Sequence, residues 1–212
     1  MTGVQTCALR SNPPQLIAVS KTYPKEIIQE AIESGISVFG ENKITEALEK
    51  FSDLKIQNPS LEIHHIGPVQ SGTLKKLFGV FSFTHGVGSL SSLKELCRVA
   101  QNKKTLIKYF LQVNLSLEDS KSGFTKSEFI SLIKNLSEYN TEFAKFHGFM
   151  TMGPESGDPI LTRKIFQELA LIRSEYSPDA KLSMGMSGDY KIALEEGSDY
   201  LRIGSAIFGN RS

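Results

Sequence analysis

Eight short apolar runs recur along this chain with an amphipathic stretch between each pair, and that alternation limits its fold more than any other feature. The runs lie at 16–21, 36–40, 61–66, 80–85, 109–114, 145–150, 181–186 and 200–204. Segments this short and apolar read as buried strands rather than helices. The stretches near 24–34, 43–51, 70–77, 90–101, 126–138, 159–175 and 189–196 have the pattern of helices resting on a sheet. Strands separated by helices pair in parallel, because each crossover returns the chain to the same end of the sheet. Right-handed crossovers then allow the α/β sheet to close as a single (β/α)8 TIM barrel. An open, doubly wound sheet is the rival, but no Gly-x-Gly-x-x-Gly follows the first run. The closed barrel is the expected fold.

The strands and helices use nearly all of the 212 residues, which leaves no room for a second domain. Residues 15–212 are expected to form the barrel. Met1–Arg10 has no periodicity, and Ser11-Asn12-Pro13-Pro14 is a breaker. Met1 to Leu9 resembles translated sequencing-adapter sequence, so residues 1–14 are expected to be a non-native leader and the barrel to lack its native N-terminal helix. A native leader is the alternative. The net charge of +1 provides no basic field for nucleic acid. No apolar run is long enough to span a membrane, and no secretory pattern opens the chain. Cys7 and Cys97 lie far apart, and His64, His65, His85 and His147 form no i,i+4 ligand pair. No metal is expected, and the location expected by default is a reducing cytoplasm.

Chemistry concentrates at the two ends. Lys21 closes the first run, Leu16-Ile17-Ala18-Val19-Ser20-Lys21, and precedes Tyr23-Pro24. A Lys emerging at the C-terminal edge of a buried strand is partly desolvated, which lowers its pKa and frees an amine able to form a Schiff base. The alternative is a Lys that caps the strand in solvent. The last two strands end in small residues, Met184-Gly185-Met186-Ser187-Gly188 and Ile203-Gly204-Ser205. Free backbone amides and hydroxyls there suit a phosphate, which in a (β/α)8 barrel commonly sits on the loops after strands seven and eight.

Several strings are similar to the pyridoxal phosphate homeostasis proteins, the YggS/PROSC family. They are Ala18-Val19-Ser20-Lys21-Thr22, Phe39-Gly40-Glu41-Asn42, His64-His65-Ile66-Gly67-Pro68-Val69-Gln70-Ser71 and Gln112-Val113-Asn114. Ser120-Lys121-Ser122-Gly123, Gly148-Phe149-Met150-Thr151-Met152, Leu182 to Ser187 and Arg202 to Gly209 follow in family order. The resemblance implies a barrel like the N-terminal domain of alanine racemase, binding pyridoxal 5′-phosphate (PLP) at the strands' C-terminal ends. It implies that Lys21 holds PLP as a Schiff base, and that Ser187, Gly204 and Ser205 hold its phosphate, with Ser205 standing where Thr is frequent. It also implies that Arg202 faces the pyridine nitrogen; a salt bridge in the barrel mouth is the alternative. Strand alternation would put Arg202 and Gly204 on one face, and likewise Ser183, Gly185 and Ser187.

Asn42 either bonds the cofactor's ring substituents or Lys21, or forms the turn that starts the next helix. His64 either lines the pocket or is a satisfied core histidine, the latter preferred, and His65 gets no catalytic role. Met184 is expected to fill core. Residues 120–123 form a candidate loop over the site, with Lys121 solvated by default. Gly72-Thr73 replaces the usual Asn-Lys, and Gly86-Val87-Gly88-Ser89 replaces the usual Ser-Val-Asp-Ser. The expected function is a monomeric carrier that buffers PLP or delivers it to apo PLP-dependent enzymes, supporting PLP and amino-acid homeostasis. A weak PLP-dependent amino-acid racemase is the alternative, and a sugar-phosphate enzyme with a Schiff-base Lys is a third reading. An always-protonated guanidinium at the ring nitrogen disfavours the nitrogen's own protonation and weakens the ring as an electron sink.

Overall fold

The apolar runs form strands, and the sheet closes on itself in the order β1 to β8, every neighbour parallel. The computed structural model describes residues 13–116, 118 and 122–209. The expected leader, apart from Pro13 and Pro14, and Ser120 and Lys121 of the candidate loop lie outside the described residues. The strands are β1 Gln15–Val19, β2 Val38–Glu41, β3 Glu62–Pro68, β4 Phe83–Val87, β5 Ile107–Gln112, β6 Ala144–Met150, β7 Lys181–Ser183 and β8 Tyr200–Ile203. The helices are α1 Lys25–Glu33, α2 Ile44–Gln57, α3 Leu90–Lys103, α4 Lys126–Ile133, α5 Pro159–Tyr176, α6 Tyr190–Glu195 and α7 Ser205–Phe208. Closure is made by β1 on β8, with Ile17 opposite Arg202 and Ala18 opposite Ile203.

Side chains alternate across each strand, so the barrel has two cores. Outward residues such as Ala18, Phe39, Ile63, Leu111, Leu182 and Leu201 pack beneath the helices with Phe51, Phe129 and Phe166. Each fully buried aromatic there contributes about 1.5–3 kcal/mol. Inward, Phe83, Phe110 and Met150 form a separate cluster with Met152 and Tyr200. That interior also buries His64, His85, Ser183 and Arg202.

Most strand ends shift by one to three residues from the expected boundaries, β4 for example to Phe83–Val87, and four departures have a physical reason. The helix expected at 70–77 is a single 3-10 turn, Leu74–Lys76. Only a short connection separates Pro68 from Phe83 in this stretch, but Leu74 and Leu77 are still fully buried. The segment 126–138 breaks after Ile133 into a second 3-10 turn, Leu136–Tyr139. α2 runs on to Gln57, beyond the expected 51, because Phe51 and Leu54 continue its buried face. β7 stops at Ser183, since Gly185 takes φ +96, which no strand residue adopts. A Cβ at Gly185 would lie 2.5 Å from Ala193 Cβ, so only glycine lets α6 pack that closely. Among the described residues no helix is long and apolar enough to cross a membrane, and no cluster of His, Cys, Asp and Glu could hold a metal.

Candidate functional site

Barrel closure brings Lys21, Asn42, Ser187, Arg202, Gly204 and Ser205 to the wall of one cavity of about 780 Å3 at the C-terminal ends of the strands. Small-molecule sites span roughly 300–1,000 Å3. A groove of similar volume, about 770 Å3, lies between α3 and α4, but its described lining carries no amine, guanidinium or imidazole.

Lys21 stands two residues beyond β1, in a turn rather than on the strand. Polar groups under the barrel wall hold this turn. The Ser20 hydroxyl donates to Glu41 Oε1 at 2.8 Å, and the Lys50 ammonium donates to Ser20 O at 3.1 Å. Lys50 also reaches Glu41 Oε1 at 3.2 Å and Glu46 Oε1 at 2.5 Å. Glu46 Oε1 in turn accepts from the Thr22 backbone N–H at 2.7 Å. Thr22 has φ 71, a left-handed conformation that a β-branched residue resists, and the surrounding bonds hold it there. Burial pushes the Glu41 carboxyl above its ordinary pKa despite Lys50 and Ser20, whereas the Lys50 and Thr22 bonds hold Glu46 below its own. From the other side, the Tyr23 hydroxyl donates to Gly209 O at 2.7 Å and its ring packs on Phe208, tying the turn to the segment after β8.

Asn42 follows β2. It does not cap α2, whose N-cap position is Lys43 without a side-chain bond, so the turn-and-cap alternative is not adopted. The loop can sit close to β3 because Gly67 has no side chain, a Cβ there falling 2.3 Å from Asn42 O. Ser187 reaches the cavity from the turn after Gly185, which Asp189 pins by accepting from the Met186 N–H at 2.6 Å. The face-sharing expected for Ser183, Gly185 and Ser187 is therefore not the reason for Ser187's position. Gly204 and Ser205 follow β8 directly, and a Cβ on Gly204 would press on Val19 O at 3.3 Å.

Arg202 is the dominant electrostatic feature. It is 5% exposed, with Nη1 donating to Ser183 Oγ at 2.6 Å and Nη2 to Thr151 O at 3.1 Å. Among the described residues it makes no salt bridge, so the mouth ion pair weighed above is not formed. Burial pulls its pKa down to about 10, Asp189 resisting. A buried cation without a carboxylate is costly, and a polar or anionic ligand facing it would offset that cost.

His64 is a core histidine, fully buried and outside the cavity lining, bonded to Glu62 and His85. His65 bonds the Thr84 hydroxyl at 2.9 Å and the Asn42 backbone, and burial pulls its pKa down to about 4. Met184 is core, as expected, and the methionines on the cavity are Met150, Met152 and Met186. The sequence reasoning missed these three as lining, and missed Gln112, whose Nε2 donates to Ser122 O at 2.6 Å. Their signal was present, since Gln112, Met150 and Met152 lie at the C-terminal ends of strands five and six.

Residues 4–212 match the family described as "Alanine racemase, N-terminal domain". The chain is 33% identical over 207 residues to a pyridoxal phosphate homeostasis protein of Aquifex aeolicus, covering 94% of this chain and 88% of that protein. It resembles the structure of PipY from Synechococcus elongatus PCC7942 without PLP, with TM-score 0.85, 32% identity and coverage of 92% and 93%. The PipY structure with PLP bound gives TM-score 0.83, 30% identity and coverage of 94% and 95%.

Proposed function

This chain belongs to the family of pyridoxal phosphate homeostasis proteins, on the barrel of the alanine racemase N-terminal domain, and we propose that it is a PLP carrier with Lys21 as the point of attachment. One observation carries the reading: the residues singled out by motif converge on one cavity whose buried guanidinium has no carboxylate partner among the described residues. The donor set fits the cofactor. PLP supplies an aldehyde that condenses with an amine, releasing water, and the remaining chemistry belongs to the chain. Lys21 provides the amine, held by the Ser20–Glu41–Lys50 cluster. Ser187, Ser205 and the backbone at Gly204 provide donors suited to a phosphate dianion. Asn42 offers an amide to the ring substituents, and Met150, Met152 and Ile66 provide apolar surface for the ring.

Arg202 would face the ring nitrogen as a donor and, staying protonated, would not give that nitrogen a full proton at neutral pH. This favours holding the cofactor over driving carbanion chemistry with it. Two-base racemisation needs a second acid opposite Lys21, and the titratable groups in the described lining are Lys21 and Arg202. The carrier is proposed to act as a monomer in the cytoplasm, buffering PLP or delivering it to apo-enzymes. The test is borohydride reduction of the loaded protein followed by peptide mass mapping. The pyridoxyl adduct is expected on Lys21, with Lys21→Ala losing the visible absorption band while remaining folded; an adduct on another lysine refutes the assignment.

A further inference from the structure

Behind Arg202 the barrel interior holds a line of polar groups, Ser183, His85, His64 and Glu62, that none of these roles uses. It runs from Arg202 at the cavity to Glu62 at the opposite end of the strands. Arg202 Nη1 donates to Ser183 Oγ at 2.6 Å, and Ser183 Oγ lies 2.8 Å from His85 Nδ1. His85 Nε2 lies 2.8 Å from His64 Nδ1, and His64 Nε2 lies 2.8 Å from Glu62 Oε1. The line begins on a group that can only donate and ends on a carboxylate, which can only accept. Both imidazoles are fully buried, and burial lowers the pKa of each, so each carries one ring proton.

Those two ends fix every proton between them. His64 gives its Nε2–H to Glu62, which leaves Nδ1 as an acceptor. His85 must then donate from Nε2, which leaves its Nδ1 as an acceptor for the Ser183 hydroxyl. Ser183 in turn keeps its lone pairs for Arg202. Ring packing fixes the imidazole planes, with His64 stacked on Phe83 at 4.3 Å and His85 on Phe110 at 4.1 Å. The other polar groups nearby are His147 and Tyr200, bonded to each other at 2.9 Å, and the Lys108 amine over the Phe83 ring.

We propose that Ser183, His85, His64 and Glu62 are positioning residues for Arg202, a one-directional hydrogen-bond relay that orients the guanidinium toward the cofactor and stabilises its charge from the far end of the barrel. The proposal rests on the reading that Arg202 faces the ring nitrogen. Hydrogen bonds in series polarise one another, so an anionic terminus makes Ser183 a better acceptor for a cation with no carboxylate beside it. Ser183 also occupies one edge of the guanidinium, which leaves its remaining N–H groups for the cavity.

Nitrogen-15 NMR of the cofactor-free protein reads the relay directly. His64 and His85 are both expected as neutral Nε2–H tautomers near neutral pH. In the loaded protein, Ser183→Ala is expected to shift the visible absorption maximum and weaken PLP binding roughly tenfold. Glu62 is half-exposed, so Glu62→Leu and Glu62→Gln should fold; the first, lacking both charge and acceptor, should shift the maximum in the same direction, and the second, keeping an acceptor but not the charge, should shift it less. An Nδ1–H tautomer or a cation at His64 or His85 overturns the relay, as does a wild-type absorption maximum in both Ser183→Ala and Glu62→Leu. The tautomers are read without PLP, so a misplaced Lys21 adduct would sink the carrier reading while the NMR still decides the relay.

Discussion

Replacing Lys50 with Met tests how the Lys21 turn is held. The Lys50 side chain is 11% exposed, with its ammonium within 3.1 Å of Ser20 O, 3.2 Å of Glu41 Oε1 and 2.5 Å of Glu46 Oε1. Met keeps most of the apolar stem, so the change is mainly loss of charge. Glu46 is partly exposed and can be rehydrated, which limits its share to about 1 kcal/mol. Glu41 is different: its side chain is fully buried and its Oε2 has no hydrogen-bond partner even with Lys50 in place. Stranding a buried charge costs about 3–5 kcal/mol, and the option of taking up a proton puts Glu41 near the lower end, about 3 kcal/mol near pH 7.5. The sign with pH follows from the shift. Burial already holds the Glu41 pKa above its ordinary value, and removing Lys50 raises it further. A carboxyl with a raised folded-state pKa binds its proton more tightly when folded, so the deficit is full while Glu41 is ionised and shrinks as pH falls through that pKa. Urea unfolding of wild type and Lys50→Met near pH 7.5 and pH 5.5 measures this, with the histidine contributions common to both proteins cancelling. The deficit should narrow by about 1 kcal/mol or more on acidification. Adding Glu41→Gln should recover most of it. A deficit below about 1 kcal/mol near pH 7.5, or one that grows in acid, refutes the reasoning.

Three further outcomes are expected. If Ser187 and Ser205 hold the phosphate as proposed, Ser187→Ala and Ser205→Ala each remove a hydroxyl donor to a dianion, worth about 1.5–3 kcal/mol, so PLP affinity by absorbance titration should fall roughly tenfold or more, and pyridoxal without phosphate should bind poorly. Equal affinity for pyridoxal and its phosphate would place the anion site elsewhere. His64, His65, His85 and His147 all have pKa values lowered by burial, His65 and His147 to about 4. Each binds its proton more readily when unfolded, so stability should decline from about pH 6.5 toward pH 4, with His65 contributing roughly 1.4 kcal/mol per pH unit and the half-buried His147 less because solvent screens it; a flat stability profile there contradicts their neutral burial. With stoichiometric loaded protein, alanine and other amino acids should show slow net racemisation by deuterium incorporation and chiral analysis; fast multiple turnover would overturn the carrier reading.

Local sequence determined the elements and part of the cavity wall. Period and run length separate strand from helix because burial selects them residue by residue, and β1 to β8 all fall on the expected runs. Lys21, Ser187, Gly204 and Ser205 lie just past strand ends, which a closed parallel barrel gathers at one rim, whereas Asn42 and Arg202 enter the set through the family resemblance. Element ends were less legible. Gly185 stops β7 early and a 3-10 turn replaces one helix, outcomes set by the packing of α6 and by the short path from β3 to β4. Only the tertiary structure decided what lies beneath those positions. Glu62 and His64 share one face of β3, but His85, Ser183 and Arg202 come from distant strands, and nothing local to those three marks a partner. Their contacts depend on strand register and on the rotation that closes β8 onto β1, which together set how deep each inward side chain reaches. The Lys50 clamp on Ser20 depends likewise on α2 packing across β1 and β2, a distance in space that sequence separation does not encode.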